Sequence, residues 1–256
     1  MKKTYAILNI IVLSAVIYWN YLSNTLKIKG NTISSLNGEY DNLFTPAGYA
    51  FSIWGLIYLM LFANAIFQIK RVFFDKKDDE FVTKINPWLI LANLGSGAWL
   101  WFWLNEQTGI SVLVMLTILA SLLTVIVKLN MERWDAPRST IVWIWWPICF
   151  FSGWISVATI ANISAYLVKI GWAAGVNDVM WTIVMIAVAV VVNLVMIYLR
   201  NMREFAAIGV WALIGIAVKH WDTIPTLQWT AIAGAAVLFI AISIHAFQNR
   251  KTLPFS

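Results

Sequence analysis

The sequence predicts an all-α, polytopic membrane helix bundle of about eight transmembrane helices. Three observations predict it: the composition, the lengths of the apolar segments, and the alternation of basic charge between successive loops. Of 256 residues, 61% are hydrophobic and only 12% charged, where a soluble domain carries roughly 25% charged and about 45–50% apolar residues. An ordinary globular domain and a disordered chain are both excluded. A spanning helix needs roughly 17–25 mostly apolar residues to cross about 30 Å of hydrocarbon. Segments of that kind fall at 5–23, 44–68, 87–104, 110–130, 140–168, 179–199, 205–221 and 226–247.

Each segment has its own justification. The first follows Lys2 and Lys3 and is read as a retained helix, because its exit from Asn20 to Thr25 lacks the small-x-small pattern of a cleavage site. The second contains Pro46 near its start, the third opens on Pro87, and the fifth, the longest, contains Pro147 near its start. The sixth and eighth are Ala/Val/Ile runs, such as residues 186–192, and the seventh carries Lys219 and His220 just before its end. Composition therefore divides the chain near residue 175, into a tryptophan-dense five-helix module at 1–172 and a three-helix extension at 176–256.

Loop charge tests the count. With the N-terminus in the cytoplasm, 14 of the 18 Lys and Arg residues fall inside, at 2–3, 70–84, 128–138, 200–203 and 250–251; Lys27, Lys29, Lys169 and Lys219 fall outside. That asymmetry fits an even number of spans with both termini cytoplasmic, in a cell (inner) membrane. The net charge of +6 belongs to those inner loops, so nucleic acid is not expected as a partner.

The interior is uncharged. No Asp, Glu, Lys or Arg lies near the middle of a span, which argues against a proton pump or an ion-coupled carrier. Lys219 is read as an interfacial lysine reaching toward water. A single cysteine, Cys149, and two histidines offer neither a disulfide nor a metal cluster. With no carboxylate pair and no Ser/His/Asp arrangement, the chain is expected to have no catalytic residues, no metal and no resident cofactor, and not to be an enzyme. What the spans contain instead is amides and hydroxyls: Asn9, Asn64, Asn93, Asn162, Asn193, Ser156 and Thr159. Asn9 and Asn193 read as interhelical hydrogen-bonding groups. Asn93 and Asn162 stand beside aromatic residues and are candidate ligand contacts.

Sixteen tryptophans are present. Trp88, Trp134, Trp172, Trp181, Trp221 and Trp229 sit at span ends and fit an interfacial belt. Trp54, Trp99, Trp101 and Trp154 fall inside their spans, where an indole N–H needs a partner and the ring offers a flat apolar surface. Flat aromatics beside amides, without charge, suit a pocket for a flat or rigid hydrophobic ligand. In the fifth span, Ser152 and Ser156, Ala161 and Ala165, and Gly171 and Gly175 stand four apart, a spacing that permits close helix packing and a homodimer.

Two segments carry a family resemblance. Trp154-Ile-Ser-Val-Ala-Thr-Ile-Ala-Asn162 resembles, without a gap, the W-x-S-x-A-T-x-x-N signature of the tryptophan-rich sensory protein family, also called TspO or the translocator protein/peripheral benzodiazepine receptor. Pro46-Ala-Gly-Tyr49-Ala-Phe51-Ser-Ile-Trp54-Gly-Leu-Ile-Tyr58 is similar to that family's P-x-G-W-x-F-P-x-x-W-x-x-x-Y, with Tyr49 where tryptophan is usual and Phe51 to Trp54 one residue closer. Leu91-Ala-Asn93, with Trp99 further on, loosely matches the third-helix motif, and the resemblance covers roughly residues 1–172.

The resemblance implies a five-helix bundle whose pocket, lined by Tyr49, Phe51, Trp54, Trp154, Ala158 and Asn162, opens toward residues 24–43. Asn93 and Trp99 complete the candidate ligand-binding set. It further implies a receptor or transport protein that binds a tetrapyrrole or sterol-like ligand. Porphyrin or haem would be ligand rather than cofactor, with Lys27 and Lys29 available to its propionates. Two alternatives are an enzyme promoting light-dependent porphyrin degradation, and a passive exporter or scaffold whose work is done by the C-terminal helices.

Overall fold

The computed structural model describes residues 1–28, 30–33, 35–36, 42–75, 79–172 and 177–249. Eight long helices form among them, one at each expected span: α1 (Lys2–Leu26), α2 (Ile53–Lys70), α3 (Glu80–Leu104), α4 (Thr108–Lys128), α5 (Trp146–Lys169), α6 (Asp178–Arg200), α7 (Arg203–Lys219) and α8 (Pro225–Gln248). The chain is an all-α, multi-pass membrane protein. Six of the helical stretches are long and apolar enough to cross a membrane unaided. The other two are α3 and α7. The 25-residue α3 includes Asn86, Pro87, Asn93 and four tryptophans, which lower its hydropathy, and α7 has 17 residues, the short end of the spanning range.

Polarity is arranged for lipid. Asn64 and Gln68 are completely buried and Asn9 is 1% exposed, whereas Leu59 and Leu113 are more than 60% exposed. A water-soluble bundle would show the reverse. On α6 the exposed face carries Val184, Val188, Val191 and Val195, and the buried face carries Thr182, Met185, Ala189 and Asn193.

The chain forms two compact units, Met1–Leu36 with Trp54–Ser152, and Asn37–Ile53 with Gly153–Ser256. This division by packing differs from the compositional one near residue 175, and its boundaries fall at the start of α2 and inside α5.

In the first unit, α3 packs against α1 on one side and α4 on the other. The sequence permits this through Gly95 and Gly97. A Cβ at Gly95 would lie 2.7 Å from Ile118 of α4, and one at Gly97 would touch Val16 of α1 at 3.4 Å. Asn93 donates from Nδ2 to Asn9 Oδ1 (3.3 Å), and Trp19 donates from Nε1 to the Gly97 carbonyl (3.1 Å), so α1 and α3 are tied by polar bonds as well.

α5 starts irregularly. Residues Arg138–Thr140 make one turn, Ile141–Trp145 widen into a π turn, and Pro147 follows at the second position of α5. Proline has no N–H and its ring displaces the carbonyl four residues back, here that of Trp143. Asn64 of α2 takes that carbonyl through Nδ2 at 2.6 Å, and a buried amide chain continues from it: Gln68 donates to Asn64 Oδ1 (2.8 Å), and Asn86 of α3 donates to Gln68 Oε1 (2.7 Å).

In the second unit, α7 packs on α8, and α6 packs on both. Glycine again sets the distance. A Cβ at Gly153 of α5 would lie 2.7 Å from the Phe205 carbonyl, and one at Gly209 of α7 would lie 2.6 Å from Asn193 of α6. Asn193 itself donates to the Ala189 carbonyl of its own helix (2.8 Å).

The proline repair predicts a stability effect. Asn64→Leu leaves the Trp143 carbonyl without its donor and interrupts the amide chain, at a cost of about 1–3 kcal/mol. In thermal unfolding in detergent the variant should melt clearly below wild type, whereas the lipid-facing Leu59→Val should stay within about 0.5 kcal/mol.

Candidate functional site

The segment that leads into α2 is fastened to the second unit residue by residue. Asn42 accepts the Thr45 N–H on Oδ1 (2.9 Å), a local turn that short amide side chains favour. Its Nδ2 reaches the Ala161 carbonyl of α5 at 3.5 Å, and its own carbonyl accepts Lys219 Nζ at 3.1 Å. His220 Nε2 lies 2.7 Å from the Leu43 carbonyl, a contact that requires Nε2 to carry the proton. Lys219 and His220 are thus anchors of this strap rather than merely interfacial side chains.

The strap then crosses α7 at Gly215. The Ala47 N–H donates to the Gly215 carbonyl (3.0 Å), and a Cβ at Gly215 would sit 2.9 Å from Pro46 and 3.0 Å from Ala50. Only a residue without a side chain lets the two backbones approach so closely. Residues Gly48–Ser52 wind into a 3-10 turn, and the Ala50 carbonyl accepts both the Ile53 N–H and Trp211 Nε1, the latter at 3.0 Å. The Trp211 ring also meets Tyr49 edge to face, with centroids 5.5 Å apart.

Fixing the 3-10 turn fixes Phe51. Its ring meets Trp154 of α5 edge to face, with centroids 5.6 Å apart and planes at 86°. Trp154, Ala158 and Asn162 are four residues apart and share one helix face. Trp154 and Asn162 are buried, at 2% and 4% exposure, and Ala158 is half-buried. The arrangement is an apolar aromatic wall with one buried carboxamide. It contains no nucleophile and no acid–base pair, and can contribute shape, stacking and a few hydrogen bonds.

Five of the eight expected residues, Tyr49, Phe51, Trp154, Ala158 and Asn162, therefore belong to the second unit. The other three lie in the first. Trp54 stacks on Tyr58 (5.3 Å, 28°) and meets Phe151 edge-on (6.0 Å). Asn93 is spent on the bond to Asn9 that joins α1 and α3. Trp99 stacks on Trp103 (6.0 Å, 17°), and its Nε1 is buried with no acceptor among the described residues. Trp101, expected inside its span, is about half exposed near the end of α3, beside Trp19. Of the two cationic candidates, Lys27 caps α1 in a left-handed conformation, and Lys29 lies outside the described residues.

Trp211, Gly215, Lys219 and His220 support the site and were not anticipated from the sequence. Trp211 offered a signal, since it lies in the middle of the seventh span. Gly215→Leu should push the strap off α7, lowering stability by about 1–3 kcal/mol and raising chymotryptic cleavage at Tyr49 and Phe51 in detergent. Trp211→Phe, which keeps a ring but loses the donor, should cost about 0.5–1.5 kcal/mol.

Comparison with known proteins bears on this architecture. The family model described as TSPO-like protein matches residues 6–244, a span that starts in α1, ends in α8 and extends past the 1–172 region that carries the motif resemblance. No curated protein and no solved structure matches the chain. With a family match over nearly its whole length, and with the Pro46–Tyr58 and Trp154–Asn162 motifs seated in a helical membrane protein, this chain belongs to the TSPO-like protein family.

Proposed function

We propose that this protein is a membrane receptor or carrier that binds a flat hydrophobic ligand, a tetrapyrrole or a sterol-like molecule, on the aromatic wall of Phe51 and Trp154. The observation that carries the reading is the Phe51–Trp154 pair itself, on a helix face that also carries the buried carboxamide of Asn162. A flat ring system gains area and stacking against such a wall, and one amide fixes its orientation. The ligand-lining residues come from 1–172, while α7, within 176–256, supports the strap that presents Phe51. The protein acts by binding and release, without a catalytic step or a resident cofactor. It works in a bacterial inner membrane with both termini in the cytoplasm, the side that the basic loops favour.

Titration of protoporphyrin into the full chain in nanodiscs tests the binding. Intrinsic tryptophan fluorescence should be quenched saturably. Asn162→Leu should weaken binding about fivefold, the equivalent of one hydrogen bond of about 1 kcal/mol, and Phe51→Ala should weaken it further by removing the edge contact to Trp154. Unchanged affinity in both variants, with their folds intact by circular dichroism, would remove the ligand from this wall.

Orientation has its own test. The single native cysteine, Cys149, is buried, so background labelling is low. In right-side-out vesicles a membrane-impermeant maleimide should label Asn24→Cys and spare Thr252→Cys, with the pattern reversed in inverted vesicles.

A further inference from the structure

A cavity lies in the first unit and shares no lining residue with the strap or with the Trp154 face. Its volume is about 270 Å³, and Phe67, Arg71, Phe81, Trp134, Ile144 and Trp145 are among the residues that line it. At about 30 Å³ per water in the liquid, it has room for roughly nine or ten non-hydrogen atoms, one aromatic ring with a small substituent.

Its walls are flat, and the Arg71 guanidinium and the Trp134 and Trp145 indoles among its lining residues are hydrogen-bond donors. The Arg71 guanidinium sits 5.0 Å above the Phe67 ring, Phe67 stacks on Phe81 (6.3 Å, 30°), and Trp134 meets Trp145 edge-on (5.5 Å, 82°). Arg71 Nη1 lies 3.7 Å from Asp75 and Nη2 lies 3.4 Å from Ser139 Oγ. Its Nε–H is buried with no acceptor among the described residues. Trp145, 1% exposed, likewise keeps a buried Nε1–H without an acceptor. Two buried N–H groups without acceptors are costly unless something supplies oxygen. One of them belongs to a guanidinium, whose planar fork matches a carboxylate.

The backbone points to the same place. Arg71 opens the π turn Arg71–Asp75, and Ile144 and Trp145 close the π turn Ile141–Trp145, so both irregular turns border the cavity. Wide turns of this kind cost hydrogen-bond regularity and recur at functional sites.

We infer that this cavity binds a small aromatic carboxylate, its ring between the Phe67/Phe81 and Trp134/Trp145 walls and its carboxylate accepting from Arg71 Nε and Trp145 Nε1. Asp75, the acidic group facing Arg71, leaves the Nε edge to the ligand.

Binding of 4-fluorobenzoate and of its neutral isostere 4-fluorobenzamide, followed by fluorine NMR on the full chain in phosphatidylcholine nanodiscs with empty nanodiscs subtracted, tests this. The acid should bind saturably and at least tenfold more tightly than the amide. Arg71→Gln should abolish that preference, and Trp145→Phe should weaken the acid about threefold to fivefold. Should Arg71→Gln fail to fold because Asp75 is left alone, the double variant Arg71→Gln/Asp75→Asn removes the pair together and should show the same loss. Equal binding of acid and amide, or full retention by the arginine variants, would overturn the assignment. So would competitive displacement of the acid by phosphatidylglycerol, which would give Arg71 to a lipid headgroup.

Discussion

Inside hydrocarbon no water stands by to complete a hydrogen bond, so every break in a helix must be repaired by another part of the chain. The irregular backbone of this protein follows that constraint. Pro147 frees the Trp143 carbonyl, and Asn64 takes it. The 3-10 turn before α2 leaves a carbonyl lone pair on Ala50, and Trp211 takes that. Neither amide nor indole is an ornament of its own helix; each answers a defect located elsewhere in the sequence. Removing Asn64 would leave the Trp143 carbonyl without that donor, and removing Trp211 would leave the Ala50 carbonyl with the Ile53 N–H alone.

The same constraint explains how a largely apolar, aromatic site can be held rigidly. Apolar packing alone discriminates poorly between one helix orientation and the next, because lipid tails solvate a leucine as well as a neighbouring helix does. Short-range devices take over that role here. Glycines at 95, 97, 153, 209 and 215 set how closely helices and strap approach, and single side-chain-to-carbonyl bonds set where along the helix they stop. Phe51 reaches Trp154 because Asn42, Ala47 and Ala50 have each been positioned first.

The helix count and positions were legible because membrane thickness turns hydropathy into length, and because loop charge checks the parity independently. Much of the wall was legible too: Phe51, Trp154 and Asn162 sit in motifs whose spacing places them in register. What the sequence hid was partnership. Asn93 and Asn162 look alike as amides near tryptophans, and nothing in the sequence marks Asn93 as the partner of Asn9, a residue 84 positions away. Trp99 and Trp154 both lie within spans, but one pairs along its own helix with Trp103 and the other meets Phe51 across the unit. The dependence of the strap on α7 was equally hidden, since Gly215 is one small residue among many and only three-dimensional proximity to Pro46 gives it meaning.

The strap also imposes an order of events on biosynthesis. Its fastenings to Trp211 and His220 join residues 161 and 177 positions apart. At a synthesis rate of about 5–20 residues per second, roughly 8 to 35 seconds separate the emergence of the two sides of these contacts. For that interval the Leu43 carbonyl needs a borrowed donor, from interfacial water or from the insertion machinery, and the Ala50 carbonyl keeps only the Ile53 N–H. The ribosome delivers the strap first, but the strap acquires its final form only after the seventh helix has arrived.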